Sequence, residues 1–375
     1  GLENMGLGTK YSEEDIEKFR SGEYPDTHPN DHHYEMAFNN RALQTKHDLS
    51  LSGGNAMTRY LFSVGYMRND GILQNNIHDS YSENLLNYYN QYSVRLNVDS
   101  DINEKLSLTA NLSGKAGDDH APGAFTGDKT MERLVTRITR MSSALPARTS
   151  EGWYGRVDRG CPWGAIDSET HELDRDFNFM GNADLQYNLF EPLTFVVRAG
   201  YVYNHSMYRK YVAEKLVDPT LLQSPSRLDV EWNTGRELTL EGLVKYDQTI
   251  DDHEFHVLAG YSQIENKYNF ITGFRDNFPT NELYELNIAS SENQRNSGGA
   301  TEWGLTSYFG RLQYAFQGKY LFEANARYDG SSRFGPGNKY GLFPSFSGGW
   351  RMSEEAFFQE AFPWVFNLKL RGSWE

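Results

Sequence analysis

Long runs of strictly alternating residues constrain this chain more than any other feature. Tyr92, Val94, Leu96 and Val98 alternate with Ser93, Arg95, Asn97 and Asp99. Leu106, Leu108, Ala110 and Leu112 alternate with Ser107, Thr109, Asn111 and Ser113. The period returns at Phe195, Val197, Ala199, Tyr201 and Tyr203, and at Phe255, Val257, Ala259 and Tyr261. It returns again at Tyr320, Phe322, Ala324, Ala326 and Tyr328. Successive side chains of a strand point to opposite faces. Each run therefore builds a strand with one apolar, aromatic face and one charged or amide-bearing face. About twelve strands are expected, at roughly 46–52, 58–69, 91–100, 105–116, 178–189, 193–206, 236–248, 254–269, 304–316, 320–331, 343–352 and 366–374.

A soluble sandwich also alternates, so period alone does not choose between a sandwich and a membrane barrel. Length and connection say more. Several runs exceed ten residues, where an ordinary strand has about five or six. A strand that crosses a bilayer needs about 9–11. The connections alternate too. "DSDINEK", "LFEPL", "QTIDDHE" and "FQGK" are short, whereas 70–90, 117–177, 207–235 and 270–303 are long. Short turns at one end and long loops at the other are the barrel pattern. The expected fold is all-β: part of an antiparallel transmembrane β-barrel, with long outer loops and one short loop helix. Tyr60, Tyr66, Tyr201, Tyr203, Tyr261, Tyr314, Phe316, Tyr320 and Tyr328 lie toward strand ends, where aromatic girdles form. The strand propensity of aromatics is the competing explanation.

The net charge of −15, with no basic stripe, argues against a nucleic-acid partner. No apolar run reaches 18 residues, so no transmembrane helix is expected. Alternation averages to a soluble-looking hydropathy, here −0.68, so a barrel stays open. Gly1 to Lys10 lacks the basic and apolar regions of a signal peptide, and "LKLRGSWE" stops within a strand pattern. An internal segment of a longer protein is expected. The single cysteine, Cys161, allows no internal disulfide and reads as an incidental thiol.

Several segments invite a chemical reading. Ser12 and Asp15 have the spacing of a capping box before a helix over "EEDIEKFR". In the loop that follows, His28, His32 and His33 lack the Cys or carboxylate spacing of a metal site and read as scattered surface histidines. "DSDIN" echoes a calcium loop, but Glu104 stands where glycine is required, so it reads as a hairpin turn. Residues 128–143 switch to helical period: Met131, Leu134, Val135, Ile138 and Met141 share a face, Asp128 is a candidate N-cap, and Arg133, Arg137 and Arg140 line the other side. That helix either packs across a long loop or offers arginines to an anionic partner. In "EGWYGRVDRGCPWG", Trp153, Tyr154 and Trp163 are either ligand-stacking residues or internal staples of the loop. No nucleophile–base trio or carboxylate pair stands out, so neither an enzyme nor a bound cofactor is expected.

One loop breaks two good strand patterns: "ARYDGSSRFGPGNKYGLFPSFSGGW", from Ala326 to Trp350. It is not a phosphate-binding loop, because Lys339 is followed by Tyr340 and no helical period follows. With the adjoining "RMSEEAFF" it resembles, nearly residue for residue, the signature region of SusC/RagA-type TonB-dependent transporters of Bacteroidetes outer membranes. "YSEEDIEKFRSGEYPDTHPN", "QTKHDLSLSGGNAMTRYLFSVGYMRNDGIL" and "FNLKLRGSW" are similar to the same family. "RMSSALPARTSEGWYG" departs from it, with Arg148 and Thr149 where a second proline is commonly found.

The resemblance implies a plugged barrel of about 22 strands. It implies TonB-driven uptake of oligosaccharides or peptides, with a SusD-like surface lipoprotein as partner. Residues 1–45 would join plug to barrel, and 46–375 would belong to the barrel. The loop would then be a rim clasp: Gly330, Gly335 and Gly337 permit positive φ, Pro336 fixes one φ, and Asp329, Arg333 and Lys339 can cross-bond the turn. Direct substrate contact is its second reading. A passive porin-like barrel and a secreted glycan-binding or glycan-cleaving β-protein are the competing functions.

Overall fold

The computed structural model describes residues 11–74, 87–125, 130–157 and 160–375. Twelve strands form one antiparallel sheet in which each pairs with the next. They are β1 (Gln44–Gly54), β2 (Thr58–Asp70), β3 (Tyr88–Asp101), β4 (Leu106–Pro122), β5 (His171–Phe190), β6 (Leu193–Val212), β9 (Arg227–Ile250), β10 (His253–Asp276), β11 (Arg295–Phe316), β12 (Tyr320–Ser331), β13 (Tyr340–Arg351) and β14 (Lys369–Trp374). A separate hairpin, β7 (Lys215–Asp218) with β8 (Leu221–Gln223), lies between β6 and β9. The sheet is open, with β1 at one edge and β14 at the other.

All twelve expected strands are present, but several are longer than their alternation indicated. β9 and β10 have 24 residues each and β11 has 22. The extra residues lie at the long-connection end. In β10 the period lapses there, because Phe270 and Ile271 put apolar side chains on both faces, and in β11 the run Ser297, Gly298, Gly299 and Ala300 shows no alternation. The long connections shrink accordingly to 71–87, 123–170, 213–226 and 277–294. One connection breaks the expected alternation. Residues 352–368 lie at the short-turn end and carry a 3₁₀ turn and helix α5 (Ala356–Ala361). Glu355 ties this segment down, accepting from Tyr320 Oη at 2.7 Å and Trp350 Nε1 at 3.0 Å.

Register sorts the two faces. On one, Phe255, Val257, Ala259 and Tyr261 of β10 face Tyr314, Leu312, Gly310 and Tyr308 of β11. Large apolar side chains here are exposed: Val197 at 57%, Tyr308 at 53%. Aromatics recur six residues apart on this face in five strands, at Tyr60/Tyr66, Phe195/Tyr201, Phe255/Tyr261, Tyr308/Tyr314 and Phe322/Tyr328. That spacing is about 20 Å along a strand. They join across strands into two rows. Tyr66–Tyr92, Tyr261–Tyr308 and Tyr328–Tyr340 belong to one, with ring centroids 4.9–5.2 Å apart. Phe255–Tyr314, at 5.0 Å, and Tyr320–Trp350, at 6.4 Å, belong to the other. The first row lies within the long strands rather than at their ends, because those strands continue beyond it.

The other face is polar and hollow. Asp48, Gly65, Ser93, Lys115, Asn178 and Asn204 form one cross-strand row, beside a cavity of about 580 Å³. His256, Gln313, Glu323, Ser347 and Ser373 form another, beside a cavity of about 680 Å³.

Candidate functional site: the loop canopy and the polar wall

The largest cluster of buried apolar residues lies not on the sheet but in the long connections. Phe38, Leu73, Leu134, Ile138, Trp163 and Val217 are among its members. The N-terminal segment reaches it from the same end, since Gln44 at the start of β1 pairs with Asn69 near the top of β2. Helix α1 (Glu13–Ser21) begins with the expected capping box, Ser12 and Asp15 bonding reciprocally. Those bonds, then His28, lower the Asp15 carboxyl from 3.8 to about 2. α1 ends at Gly22, whose φ of 70° is left-handed.

Residues 26–38 are stitched to the 141–163 loop. Asp31 accepts from the Ala147 amide at 2.6 Å, and Asp26 from the Ser150 amide at 2.7 Å. His33 opens helix α2 (His33–Ala37) and is buried. Its Nδ1 accepts from Trp163 Nε1 at 3.0 Å, which leaves Nε2–H to donate to the Ser142 carbonyl at 3.1 Å. The sequence predicts a surface position for His33, beside His28 and His32. It is instead a core hydrogen-bonding residue, with an indole found 130 positions away.

Helix α3 (Thr130–Arg140) buries Leu134 and Ile138, with Met131 and Val135 packed behind them. Asp128, its expected N-cap, lies outside the described residues. Arg133 and Arg140 are exposed or nearly so; Arg137 is half-buried, its guanidinium close against Gly160.

The three aromatic candidates part company. Trp153 is half-buried and donates to Glu151 at 3.0 Å. Tyr154 and Trp163 are only 6% and 4% exposed and belong to the core of the canopy. Trp163 lies on helix α4 (Pro162–Ile166), capped by the Cys161 sulfur, which accepts from the Gly164 amide at 3.3 Å. Burial pushes the Cys161 thiol up to about 11, which makes it inert. Tyr154 donates its hydroxyl to Asp167. Burial first, then Asp167, pushes the Tyr154 hydroxyl far above its ordinary value. Lys215 closes the group, donating to Asp167 Oδ2 at 3.2 Å and lying 5.6 Å from the Tyr154 ring centroid.

These side chains border a cavity of about 340 Å³, lined by Met36, Gln74, Arg148, Tyr154, Trp163 and Asp167. It combines an aromatic wall with a cation and a carboxylate, the mixture that orients a small polar ligand. Asp167 and Lys215 had no sequence signal, and Arg148 stood out only as a departure at a proline position. They come from separate stretches of the connections and meet only in the folded canopy.

The rim loop between β12 and β13 is closed differently from expectation. Asp329 pairs with Arg327 at 3.2 Å, along its own strand. Arg333 lies over the Trp303 ring at 5.3 Å, and Lys339 contributes its carbonyl, which accepts from the Ser331 amide at 2.9 Å. The charged trio does not cross-bond the turn; the Ser331–Lys339 backbone bond closes it, and Ser332 anchors it to β11. Ser332 N donates to the Gly304 carbonyl at 2.9 Å, and Gly304 N donates to Ser332 Oγ at 2.8 Å. Of the three glycines, only Gly337 has positive φ, at 90°. Gly330 serves close packing, since a Cβ there would overlap the Tyr340 ring, while Gly335 and Pro336 sit in the exposed turn.

No family model matches the chain. The TonB-dependent receptor P3 of Formosa agariphila is 26% identical over 322 residues, covering 84% of this chain and 31% of that protein. The TonB-dependent receptor SusC of Bacteroides thetaiotaomicron is 24% identical over 349 residues, covering 89% and 33%. The chain is a relative of the SusC-type TonB-dependent receptors. It spans about a third of the length of these receptors. Its fold is that of a chain in the RagAB peptide importer. In the "open-open" state the TM-score is 0.75 at 21% identity, covering 98% of this chain and 42% of that one. The "closed-closed" state gives 0.71 at 21% identity, covering 91% and 37%. The likeness to these structures is one of fold.

Proposed function

We propose that residues 46–375 form part of the barrel wall of an outer-membrane, TonB-dependent importer, and that residues 1–45 join its plug to that wall. One observation carries this reading. The same strands present an exposed apolar face bounded by two aromatic rows and, behind it, a polar hollow face. Lipid accepts the first, with rings at both headgroup levels, and water accepts the second. A soluble sandwich would bury the apolar face.

The importer works without chemical change to its cargo, an oligosaccharide or a peptide. The canopy stands on the outer side, where a SusD-like lipoprotein docks and cargo arrives. Trp153 and the cavity beside Tyr154, Trp163 and Arg148 supply cargo contacts. The rim loop acts as a structural clasp. TonB engages through the plug.

The test uses the full-length protein. Pull-down from native membranes should recover a SusD-like lipoprotein, and trimming 123–170 should release it while the barrel keeps its heat-modifiable gel mobility. Retention of the lipoprotein after all four long connections are trimmed would overturn the docking claim. A uniform open pore in lipid bilayers would favour a passive porin.

A further inference from the structure

The wall has a step in it. β11 pairs with β10 along its whole length, from Arg295 to Phe316, but with β12 only from Leu305 to Phe316. The ladder to β12 ends where Ser332 and Gly304 exchange their two bonds. Above that point, residues 295–303 form an edge with no partner strand among the described residues. Gly304 turns its N–H and carbonyl toward β12, so alternate residues above it turn theirs the same way, into the open. The Ser297 carbonyl, of the opposite parity, faces β10 and accepts from Thr272 Oγ1 at 3.4 Å. Asn296, Gly298, Ala300 and Glu302 therefore present a regular row of free backbone donors and acceptors.

The edge carries charge only at its ends, at Arg295 and Glu302, and lacks the other usual protections. There is no proline and no bulge in 295–304, and the register to β10 is unbroken. Residues 295–302 are all exposed, and Gly298, Gly299 and Ala300 raise no side-chain fence. Natural sheets cover or blunt edges of this kind, because a bare one templates another strand. A row of N–H and C=O groups repeating every two residues is matched by one chemistry, an extended polypeptide backbone.

We infer that the β11 edge, from Asn296 to Glu302, is a β-augmentation site for an extended segment of a partner polypeptide outside the cell. The side on which that partner lies rests on the barrel reading above; the edge itself does not.

The experiment is photo-crosslinking in intact cells, on the full-length protein with p-benzoylphenylalanine placed at Asn296 or at Glu302. Both adducts should map to one segment of one partner, about six residues apart and in reversed order for antiparallel pairing. Ala300→Pro removes a donor that points away from β10, so the native ladder survives. It should lower adduct yield about tenfold, as loss of an edge bond and close approach requires. Ala300→Ser, which keeps the backbone, should leave the yield unchanged. Adducts scattered over unrelated segments, adducts within this protein's own sequence, adducts on glycan, or yields indifferent to Ala300→Pro would each overturn the assignment. Asn296→Cys in the Ala300→Pro background reports separately on sidedness. If an impermeant reagent fails to label it in intact cells, the barrel orientation is wrong, whatever the crosslinks show.

Discussion

Replacing Trp163 by Ala should open the canopy and leave the sheet intact. The indole is 4% exposed and packs in the cluster with Phe38, Leu134 and Ile138. Deleting such a side chain costs about 3–5 kcal/mol. It also strands the buried Nδ1 of His33, an unsatisfied acceptor worth about 1–3 kcal/mol. Together they come to about 4–8 kcal/mol, or roughly three to six powers of ten in the opening equilibrium. Trp163→Phe keeps a six-membered ring but loses the N–H and part of the buried indole, so a cost above the roughly 1–3 kcal/mol of the stranded acceptor and below that of Trp163→Ala is expected. Hydrogen exchange on the full-length protein in detergent reads both. The reporters are the amides of Tyr154 and Gly155, which donate to Val217 O and Pro146 O at 3.1 and 3.0 Å. Ladder amides of β10 and β11 are the internal reference. Trp163→Ala should speed the reporters far more than Trp163→Phe, with the reference unmoved. Unchanged reporters would show that Trp163 does not staple the canopy. Simultaneous loss of protection in β10 and β11 would show that canopy and sheet are a single cooperative unit.

Topology is checked by cysteine labelling of intact cells: Asn296→Cys should react and Asp251→Cys should not, against a low background because Cys161 is buried with its thiol pushed up to about 11. Equal labelling at both positions would sink the orientation. Gly330→Ala should loosen the rim by driving a methyl into the Tyr340 ring, and Tyr340→Ala in the same chain should relieve it. A double variant no better than Gly330→Ala alone, measured by protease sensitivity of 332–339, would rule out that clash. The α1 cap should respond to acid: Asp15 is lowered from 3.8 to about 2, so its contribution is complete above 3.8 and is lost as pH falls through about 2. Ser12→Ala should remove this acid-dependent change in local exchange at α1, and its persistence would assign the transition elsewhere.

The two-faced architecture of the sheet was legible because it is written in a local code. Side-chain parity along a strand needs no distant contact, so the alternation from Phe255 to Tyr261, and others like it, declared both faces and the strand count. Ser12 with Asp15 was legible for the same reason, since both partners of the cap lie within one turn. Strand length was not. Beyond Asn269 the alternation lapses, with Phe270 and Ile271 apolar on opposite faces, and pairing with Arg295 to Gly299 keeps residues 270–274 extended. The rim loop shows the limit within a short span: its glycines and charges were visible, but the partners of Arg333 and Ser332 depend on where Trp303 and Gly304 of the neighbouring strand arrive.

The canopy lay furthest from the sequence. His33 and Trp163, or Tyr154, Asp167 and Lys215, carry no spacing rule that links them. Sequence alone determined a sheet of about twelve amphipathic strands with long loops mostly at one end, because backbone geometry dictates side-chain parity residue by residue. Tertiary structure alone decided that those loops pack into a core with a cavity, and that β11 outreaches β12 and leaves its edge bare. Both depend on contacts between residues far apart in the chain, whose free energy exists only once the sheet has brought the loop ends together.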